Sequence, residues 1–140
     1  MLNYEDTDLK RKLLASKNIL LCEDDSVTIV LIRLILENAN INVTCAEDGK
    51  EGLEIFKASE NGNFDAVLMD ICMPNMNGIE ATEAIRELDR EDARNIPIIA
   101  MTANTYDEDR EKSFKAGMTA YLCKPINVEK LFETLEEQCI

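Results

Sequence analysis

The sequence predicts an α/β fold in which a doubly wound sheet of five parallel strands carries helices on both faces. Five short apolar runs alternate with five amphipathic segments, and this alternation is typical of consecutive βα units. The apolar runs are continuous, as expected for strands that are covered on both faces. A length of 140 residues corresponds to one domain.

The five predicted strands are short and lead into polar residues or turns. In order, they cover Asn18–Cys22, Ile41–Cys45, Phe64–Met69, Ile96–Met101 and Thr119–Cys123.

Each predicted strand is followed by a predicted helix. In order, the helices run from Asp25 or Ser26 to near Asn38, Gly49 to near Ser59, Gly78 to near Leu88, Thr105 to Ala116, and Asn127 to near Gln138. Asp25 or Ser26 and Asn127 are suitable N-caps, and Gly117 is a suitable stop for the fourth helix. Residues 1–17 are expected to form a linker or a short extra helix ahead of the main domain, residues 18–140.

The first predicted helix, "SVTIVLIRLILEN", is apolar on more than one side. The stripe expected to face the core consists of Val27, Leu31 and Leu34. The apolar residues expected to lie largely outside that stripe are Ile29, Ile32 and Leu36. Either the latter residues thicken the core or contact another copy, or they form an apolar dock for a partner.

The charge and hydropathy of the chain narrow the function classes. Fifteen basic and 28 acidic residues give a net charge of −13, so we expect no direct contact with nucleic acid. A cation or a basic protein surface is the more natural partner. No apolar run approaches the roughly 18 residues of a membrane span, and the polar start is no secretory signal. We therefore expect a cytoplasmic location and no membrane contact.

The cysteine and histidine content excludes further chemistries. The five cysteines are Cys22, Cys45, Cys72, Cys123 and Cys139. They form no CxxC pair and the chain has no histidine, which argues against zinc and against a Ser-His-Asp site. The cysteines are expected to be reduced and to act as small buried hydrophobes.

Polar residues with complementary chemistry follow four of the predicted strands. They are Glu23, Asp24 and Asp25 after the first strand, Asp70 after the third, Thr102 after the fourth, and Lys124 and Pro125 after the fifth. Carboxyl ends of parallel strands meet at one edge of a sheet. If these strands are neighbours, the side chains share one pocket.

This set of side chains suits phosphoryl transfer. Clustered carboxylates repel one another, and a hard cation such as Mg²⁺ (or Mn²⁺) offsets the repulsion through oxygen ligands. Phosphoryl transfer needs a nucleophile, positioning and charge neutralisation more than it needs a base. An aspartate can be that nucleophile, which makes Asp70 the candidate acceptor. Asp25 fits a helix cap better than a catalytic role.

Four motifs in order resemble one family. "LLCEDD", "VLMDICMPNMNG", "IIAMTAN" and "AGMTAYLCKPI" closely resemble the receiver domain of two-component response regulators, over about residues 18–138. The chain is most similar to receivers attached to hybrid histidine kinases. The resemblance implies a flavodoxin-like (βα)5 fold with strand order 2-1-3-4-5, and a receiver domain over residues 18–140.

The resemblance also implies a phosphoacceptor and a metal site. Asp70 would accept the phosphoryl group. Asp24 and Asp70 would bind Mg²⁺ directly, Glu23 would bind it through water, and the main-chain carbonyl of Cys72 would be a further ligand. The acidic pair is Glu-Asp instead of Asp-Asp, which the family tolerates.

A second group of residues would carry the switch. Thr102 resembles the hydroxyl that contacts the phosphoryl group, and Tyr121 resembles the aromatic that turns inward. Lys124 would pair with Asp70 and later with a phosphoryl oxygen, and the Lys124–Pro125 bond is expected to be cis. Cys72 and Asn104 would border the pocket and affect the lifetime of the phosphoryl group.

The implied function is a phosphorylation switch without enzymatic activity beyond its own phosphorylation and dephosphorylation. The donor would be a phosphohistidine on a histidine kinase or a histidine phosphotransfer domain, docked on the first predicted helix. The helix at 105–116 and the fifth strand would change on phosphorylation and are a candidate homodimer surface. No output domain is expected within the chain, which would be a stand-alone receiver or a piece of a hybrid kinase.

Three rival classes fit less well. An aspartate-nucleophile phosphohydrolase wants its nucleophile after the first strand in a DxDx[T/V] pattern, where "EDDSV" has Glu23 at the first place. A phosphate-independent interaction module would be marked by loss of the acceptor, metal or lysine groups, and all are present. A nucleotide-binding fold would need a glycine-rich loop after the first strand.

Overall fold

A single sheet of five parallel strands is flanked by helices on both faces. The computed structural model describes residues 4–103 and 107–140. The strands are β1 (Asn18–Cys22), β2 (Asn42–Ala46), β3 (Ala66–Asp70), β4 (Ile98–Thr102) and β5 (Ala120–Cys123). The helices among the described residues are α1 (Tyr4–Leu13), α2 (Ser26–Asn38), α3 (Gly49–Ala58), α4 (Gly78–Arg86), α5 (Glu91–Asn95), α6 (Asp107–Ala116) and α7 (Val128–Cys139).

The strand order confirms the predicted fold class. The strands lie in the order β2-β1-β3-β4-β5, and every neighbouring pair is parallel. From β1 the chain first adds β2 on one side of β1, and it then crosses back to add β3 on the other side of β1. The direction in which strands are added therefore reverses between β1 and β3. In open parallel sheets, ligands bind at the carboxyl ends of the strands at such a reversal.

Several element boundaries differ from the predicted ones. β4 begins at Ile98, after Pro97, and β3 includes Asp70 as its last residue. The short helix α5 was not predicted, because five residues are too few to show a helical period. The prediction for Asn104 and the predicted helix start at Thr105 lie outside the described residues.

Alternating strand residues build a core on each face of the sheet. On one face, α2 and α7 pack on Ile19, Leu21, Leu68, Ile99 and Met101. On the other face, α3 and α4 pack on Leu20, Cys22, Val67, Met69, Ile98 and Ala100. Successive strand side chains point to opposite faces, so continuous apolar runs fill both cores.

The predicted inward face of α2 is wrong. Ile32 and Leu36 are fully buried and Ile29 packs against the same core, so these residues face the sheet. The exposed residues are Val27 (73%), Val30 (58%), Leu31 (49%) and Leu34 (64%), which we call the apolar stripe of α2. Both sets follow helical spacing, so periodicity alone did not distinguish the core side from the solvent side.

The helix caps follow the predicted chemistry. Asp25 accepts a hydrogen bond from the Thr28 amide and is the N-cap of α2, and Asn127 caps α7 in the same way. Gly117 follows α6 with a φ of +112°, a left-handed conformation that glycine adopts without strain.

The expectation that the cysteines are buried holds for only one of them. All five are free thiols, and Cys22 is buried among core side chains. Cys45 and Cys139 are half-buried, whereas Cys72 and Cys123 are exposed. The exposed pair lies at the carboxyl edge of the sheet, where the chain leaves the core.

The N-terminal helix α1 packs on α7. The Arg11 guanidinium lies 4.3 Å from the ring centroid of Phe132 and forms ion pairs with Glu129 and Glu136. Leu14, just after α1, is fully buried in the core that α2 and α7 share. Among the described residues, no helix combines the length and apolar character needed to cross a bilayer.

Candidate functional site

The strand register sets the positions of the residues at the carboxyl edge. Cys22 pairs with Met69 across β1 and β3, so Glu23 continues the chain directly beside Asp70. Thr102, the last residue of β4, pairs with Cys123 of β5. Lys124 follows Cys123, and its amide donates to the Thr102 carbonyl at 2.7 Å. The ends of four strands, β1, β3, β4 and β5, and the residues just beyond them therefore converge on one point.

Three carboxylates meet at this point. Glu23, Asp24 and Asp70 each offer an oxygen, and these oxygens lie within 4.8 Å of one another. Glu23 and Asp70 are buried, while Asp24 is exposed at the mouth. Such a cluster of hard oxygen donors could hold a divalent cation. Asp25 is not part of it, because its carboxylate bonds the amide and the hydroxyl of Thr28.

Lys124 reaches into the cluster and bridges two of the carboxylates. Its Nζ lies 2.5 Å from Glu23 Oε1 and 3.3 Å from Asp70 Oδ2. Desolvation opposes its charge, but the hydrogen bond to Glu23 and the charge of Asp70 raise the pKa of Lys124 overall. The resemblance implied a pairing with Asp70 first, and the shorter contact to Glu23 was not predicted.

Glu23 is the most perturbed acid of the site. Burial, followed by its hydrogen bond with Asp70, raises the pKa of Glu23 to about 8, and Lys124 only partly opposes this. The physical cause is the cost of placing a second negative charge beside Asp70 away from water. Three acidic side chains face one lysine here, so additional positive charge would favour the state in which all three are ionised.

Thr102 and Tyr121 form the edge of the site toward β5. Thr102 is buried, and its side chain hydrogen bonds to the Tyr121 hydroxyl. Burial raises the pKa of Tyr121, and the guanidinium of Arg110 on α6 lies 5.0 Å from the ring centroid. The Lys124–Pro125 peptide bond is cis, as the resemblance implies.

The loop that leaves β3 carries the remaining predicted residue. The Cys72 amide donates to Asp70 Oδ1 at 3.3 Å, so the loop turns back over the Asp70 carboxylate. Gly78 closes the loop, because a Cβ there would lie 2.2 Å from the Asp70 carbonyl oxygen. Only glycine permits this approach of α4 to the end of β3.

Some contacts of the site had only weak signals in the sequence. Arg110 lies on a highly charged helix, where no pattern distinguishes it from neighbouring charges. Asn75 has a φ of +65°, which the "PNMNG" turn motif hints at, and it bonds Asp48 from a distant segment. Contacts between segments far apart in sequence follow from the folded topology, not from local spacing.

The fold and the site together define a class of protein: a doubly wound sheet with an acidic, lysine-containing pocket at its carboxyl edge. Residues 19–136 match the family described as the response regulator receiver domain. Because this match spans most of the chain, the chain belongs to that family. It is a receiver domain of two-component and phosphorelay signalling.

Known proteins and structures support this assignment. The chain is similar to hybrid signal transduction histidine kinase I of Dictyostelium discoideum, with 39% identity over 87% of this chain and 7% of the kinase. It is also similar to the crystal structure of the receiver domain of sensor histidine kinase PA1611 from Pseudomonas aeruginosa, which has a magnesium ion in its active site cleft. That match has 36% identity and a TM-score of 0.79, and covers 89% of this chain and 98% of that one.

A third similar structure is a complex. The receiver domain of Ssk1 from Saccharomyces cerevisiae was co-crystallised with the histidine phosphotransfer protein Ypd1. It matches with 26% identity and a TM-score of 0.80, and covers 90% of each chain. The chain spans only a small part of its curated relatives: 7% of the length of the Dictyostelium kinase and 21% of the length of the transcription factor SKN7 of Candida albicans, with which it is 38% identical over 88% of this chain.

Proposed function

We propose that the chain is a phosphoacceptor switch in which Asp70 accepts a phosphoryl group from a phosphohistidine. The observation that carries the proposal is the buried carboxylate of Asp70 with Glu23, Asp24 and Lys124 gathered around it. A carboxylate oxygen of Asp70 forms the new bond to phosphorus as the bond from phosphorus to the histidine nitrogen breaks. The nitrogen keeps the electron pair, and the product is an acyl phosphate.

The residues of the pocket fit Mg²⁺ (or Mn²⁺). Asp24 and Asp70 would be direct ligands, the main-chain carbonyl of Cys72 a further one, and Glu23 would act through water. Two features of the pocket suit such an ion. Three acidic side chains surround one lysine, and every side-chain group that could bind the ion offers an oxygen atom. When bound, the ion would supply positive charge that screens the pocket from an incoming phosphoryl group.

Lys124 and Thr102 would stabilise the phosphorylated state. The phosphoryl oxygens give Lys124 a stronger partner than Glu23, so we propose that Lys124 exchanges that contact for a phosphoryl oxygen. Thr102 would leave its hydrogen bond with Tyr121 and donate its hydroxyl proton to the phosphoryl group. Tyr121 would then fill the space vacated by Thr102. Phosphorylation would thus shift the population between two conformers.

The donor would be a histidine kinase or a histidine phosphotransfer protein that docks on the apolar stripe of α2. The stripe begins at Val27, three residues after Asp24, and so borders the acidic mouth of the pocket. Four exposed apolar residues on one helix face are more than scattered surface hydrophobes, and they support the proposal of an interaction site there. An amphipathic donor helix could cover the stripe and bring its histidine to Asp70.

The acceptor assignment is tested with a small donor. Wild-type protein incubated with acetyl phosphate and Mg²⁺ should gain one phosphoryl group by intact-mass spectrometry. Asp70→Asn should gain none, because the amide is not nucleophilic. Asp89→Asn is the matched control: Asp89 is fully exposed and pairs with Arg94, so its variant should label as wild type does. Equal labelling of Asp70→Asn and wild type would refute the assignment.

The docking surface is tested by comparing two kinds of donor. A double variant that carries Val30→Glu and Leu34→Glu should accept the phosphoryl group more slowly from a phosphorylated histidine phosphotransfer protein. Its labelling by acetyl phosphate should be unchanged. Leu9→Glu is the control, since Leu9 on α1 is as exposed (56%) as Val30. Equal loss with both donors would reject the docking surface. Ile32, named from the sequence as outside the core, is unsuitable for this test because it is buried.

Further properties remain proposals of their own. A cytoplasmic location would place the chain where ATP-dependent kinases phosphorylate their histidines.

The chain would promote its own phosphorylation and dephosphorylation only, and Cys72, which lies beside Asp70, would affect the lifetime of the acyl phosphate. A homodimer through α6, which covers most of the helix predicted at 105–116, and through β5 would form on phosphorylation, and light scattering before and after acetyl phosphate treatment would detect it. We propose residues 18–140 as the receiver unit, with residues 1–17 as an added helix or linker.

A further inference from the structure

The loop between β3 and α4, residues 71–77, lies between the acceptor carboxylate and the start of α3. At one end, the Cys72 amide bonds Asp70 Oδ1, and the Gly78 amide donates to the Ile71 carbonyl at 2.9 Å. The loop has no strand or helix of its own. Contacts with other elements must therefore fix its conformation.

A single carboxylate joins this loop to α3. Asp48 Oδ1 accepts a hydrogen bond from the Glu51 amide at 2.7 Å and so caps α3. Its other oxygen, Oδ2, accepts a hydrogen bond from Asn75 Nδ2 at 2.7 Å. Asn75 itself has a φ of +65°, a conformation that asparagine tolerates better than most residues. We call this contact the Asp48–Asn75 clamp.

The backbone beside the clamp is fitted closely. The Gly49 amide donates to the Met76 carbonyl at 3.0 Å. A Cβ at position 49 would lie 2.3 Å from that carbonyl oxygen, so a side chain would push the loop away. The first turn of α3 and the tip of the loop are thus in direct backbone contact, with the side-chain clamp next to it.

We propose that Asp48 and Asn75 are positioning residues for the divalent cation site. By holding the tip of the loop on α3, they would keep the Cys72 carbonyl in the position in which it serves as a ligand beside Asp70. This inference rests on the proposed metal site. Residues that orient a ligand contribute to metal affinity although they do not touch the ion, and their loss commonly weakens binding by about 10-fold or more.

A comparable clamp elsewhere in the chain separates positioning from general stability. Arg90 donates to the carbonyls of Phe56 and Ser59 at the other end of α3 and to both oxygens of Asp92. That contact also joins α3 to a distant loop, but none of its residues belongs to the acidic pocket. Weakening it should lower stability without changing metal affinity.

Two variants remove the clamp while keeping the local backbone. Asn75→Gly removes the side chain, accepts the positive φ and leaves the Asp48 cap of α3 intact. Asp48→Ser keeps a capping oxygen but is too short to reach Asn75. Asp92→Ser is the control. Isothermal titration calorimetry should show the dissociation constant for Mg²⁺ rising about 10-fold in both clamp variants and staying unchanged in the control.

A readout without metal completes the test. Amide hydrogen exchange in the loop at 72–76, where every residue but Pro74 has an amide proton, should be measured in EDTA. It should speed up in Asn75→Gly and Asp48→Ser and stay at the wild-type rate in Asp92→Ser. Unchanged Mg²⁺ affinity in both clamp variants would overturn the inference, as would an equal loss in the control.

The same titration separates this inference from the metal site on which it rests. If Asp24→Asn abolishes Mg²⁺ binding and the clamp variants bind as wild type does, only the positioning role fails. If Asp24→Asn also binds as wild type does, the proposed metal site fails, and the positioning role fails with it.

Discussion

At the scale of single residues, Glu23 determines how the pocket responds to pH. Its side chain is fully buried and bonds both Asp70 and Lys124. A carboxyl group that is protonated near neutral pH can share its proton with a neighbouring carboxylate, so the pocket tolerates two buried acids side by side. The sequence showed an acid at this position but not its burial.

The raised pKa of Glu23 predicts a pH-dependent stability. Between its ordinary pKa of 4.5 and the folded value of about 8, the folded state binds more protons than the unfolded state. The free energy of unfolding of the metal-free protein should therefore fall as pH rises through this window, by up to about 1.4 kcal/mol per pH unit. Urea denaturation in EDTA at several pH values would measure it.

The matched variant for this prediction is Glu23→Gln. The amide has nearly the same shape as the carboxyl group but does not titrate. The free energy of unfolding of the variant should therefore fall less than that of wild type between pH 4.5 and 8. Below pH 4.5 the pH dependence from Glu23 levels off and its stabilising contribution is at its full size, because Glu23 is protonated in both states. Identical pH profiles for wild type and variant would show that Glu23 does not carry the shift.

Arg90 is a residue whose contribution is structural. Its guanidinium lies 4.7 Å from the ring centroid of Phe56 and donates to carbonyls at the end of α3, including that of Ser59. Arg90→Met should lower the free energy of unfolding by about 1–3 kcal/mol, because buried carbonyls lose their donor. Thermal or urea unfolding would check this.

The control for Arg90 is a neighbouring exposed ion pair. Arg94 contacts Asp89 at the surface, where solvent screens the charges. Arg94→Met should change stability by less than about 0.5 kcal/mol. If the two variants lost equal stability, the helix-end contacts of Arg90 would not be the reason for its effect.

At the scale of elements, α2 shows where sequence reasoning reached its limit. Strand positions, helix order and the caps Asp25 and Asn127 followed from local signals, because apolar runs and capping side chains act locally. The facing of α2 did not, because both of its long sides are apolar. Which side is buried depends on how the helix packs on the sheet in the folded protein.

Paired truncations on α2 test which side is core. Ile32→Ala should lower the free energy of unfolding by about 2–5 kcal/mol, since it leaves a cavity among fully buried side chains. Leu34→Ala should change it by less than about 0.5 kcal/mol, because Leu34 is mostly exposed. Equal losses in urea denaturation, or a larger loss at Leu34, would contradict the observed facing.

At the scale of the whole molecule, the doubly wound topology explains why distant residues meet. The residues of the pocket span positions 23 to 124, and only the strand order brings their strand ends to one edge. Parallel strands direct their carboxyl ends to the same side, so the convergence was predictable from the sequence. The Asp48–Asn75 clamp was not, because it depends on the path of a loop.

The acidic pocket predicts that a divalent cation stabilises the folded protein beyond what general screening of its net charge would do. If Mg²⁺ binds only the folded state, a concentration of 100 times its dissociation constant should stabilise the protein by about 2.7 kcal/mol. NaCl at equal ionic strength is the control for general screening. Asp24→Asn should lose the specific part of the shift in melting temperature. A shift of the same size in NaCl would contradict specific binding.

The central claim, that Asp70 accepts the phosphoryl group, is tested most directly by locating the modified residue. Protein phosphorylated by its histidine donor or by acetyl phosphate is treated with borohydride, which reduces an acyl phosphate to an alcohol, and is then mapped by tandem mass spectrometry. We expect homoserine at position 70 alone. Reduction at another acid, with Asp70 intact, would contradict the claim.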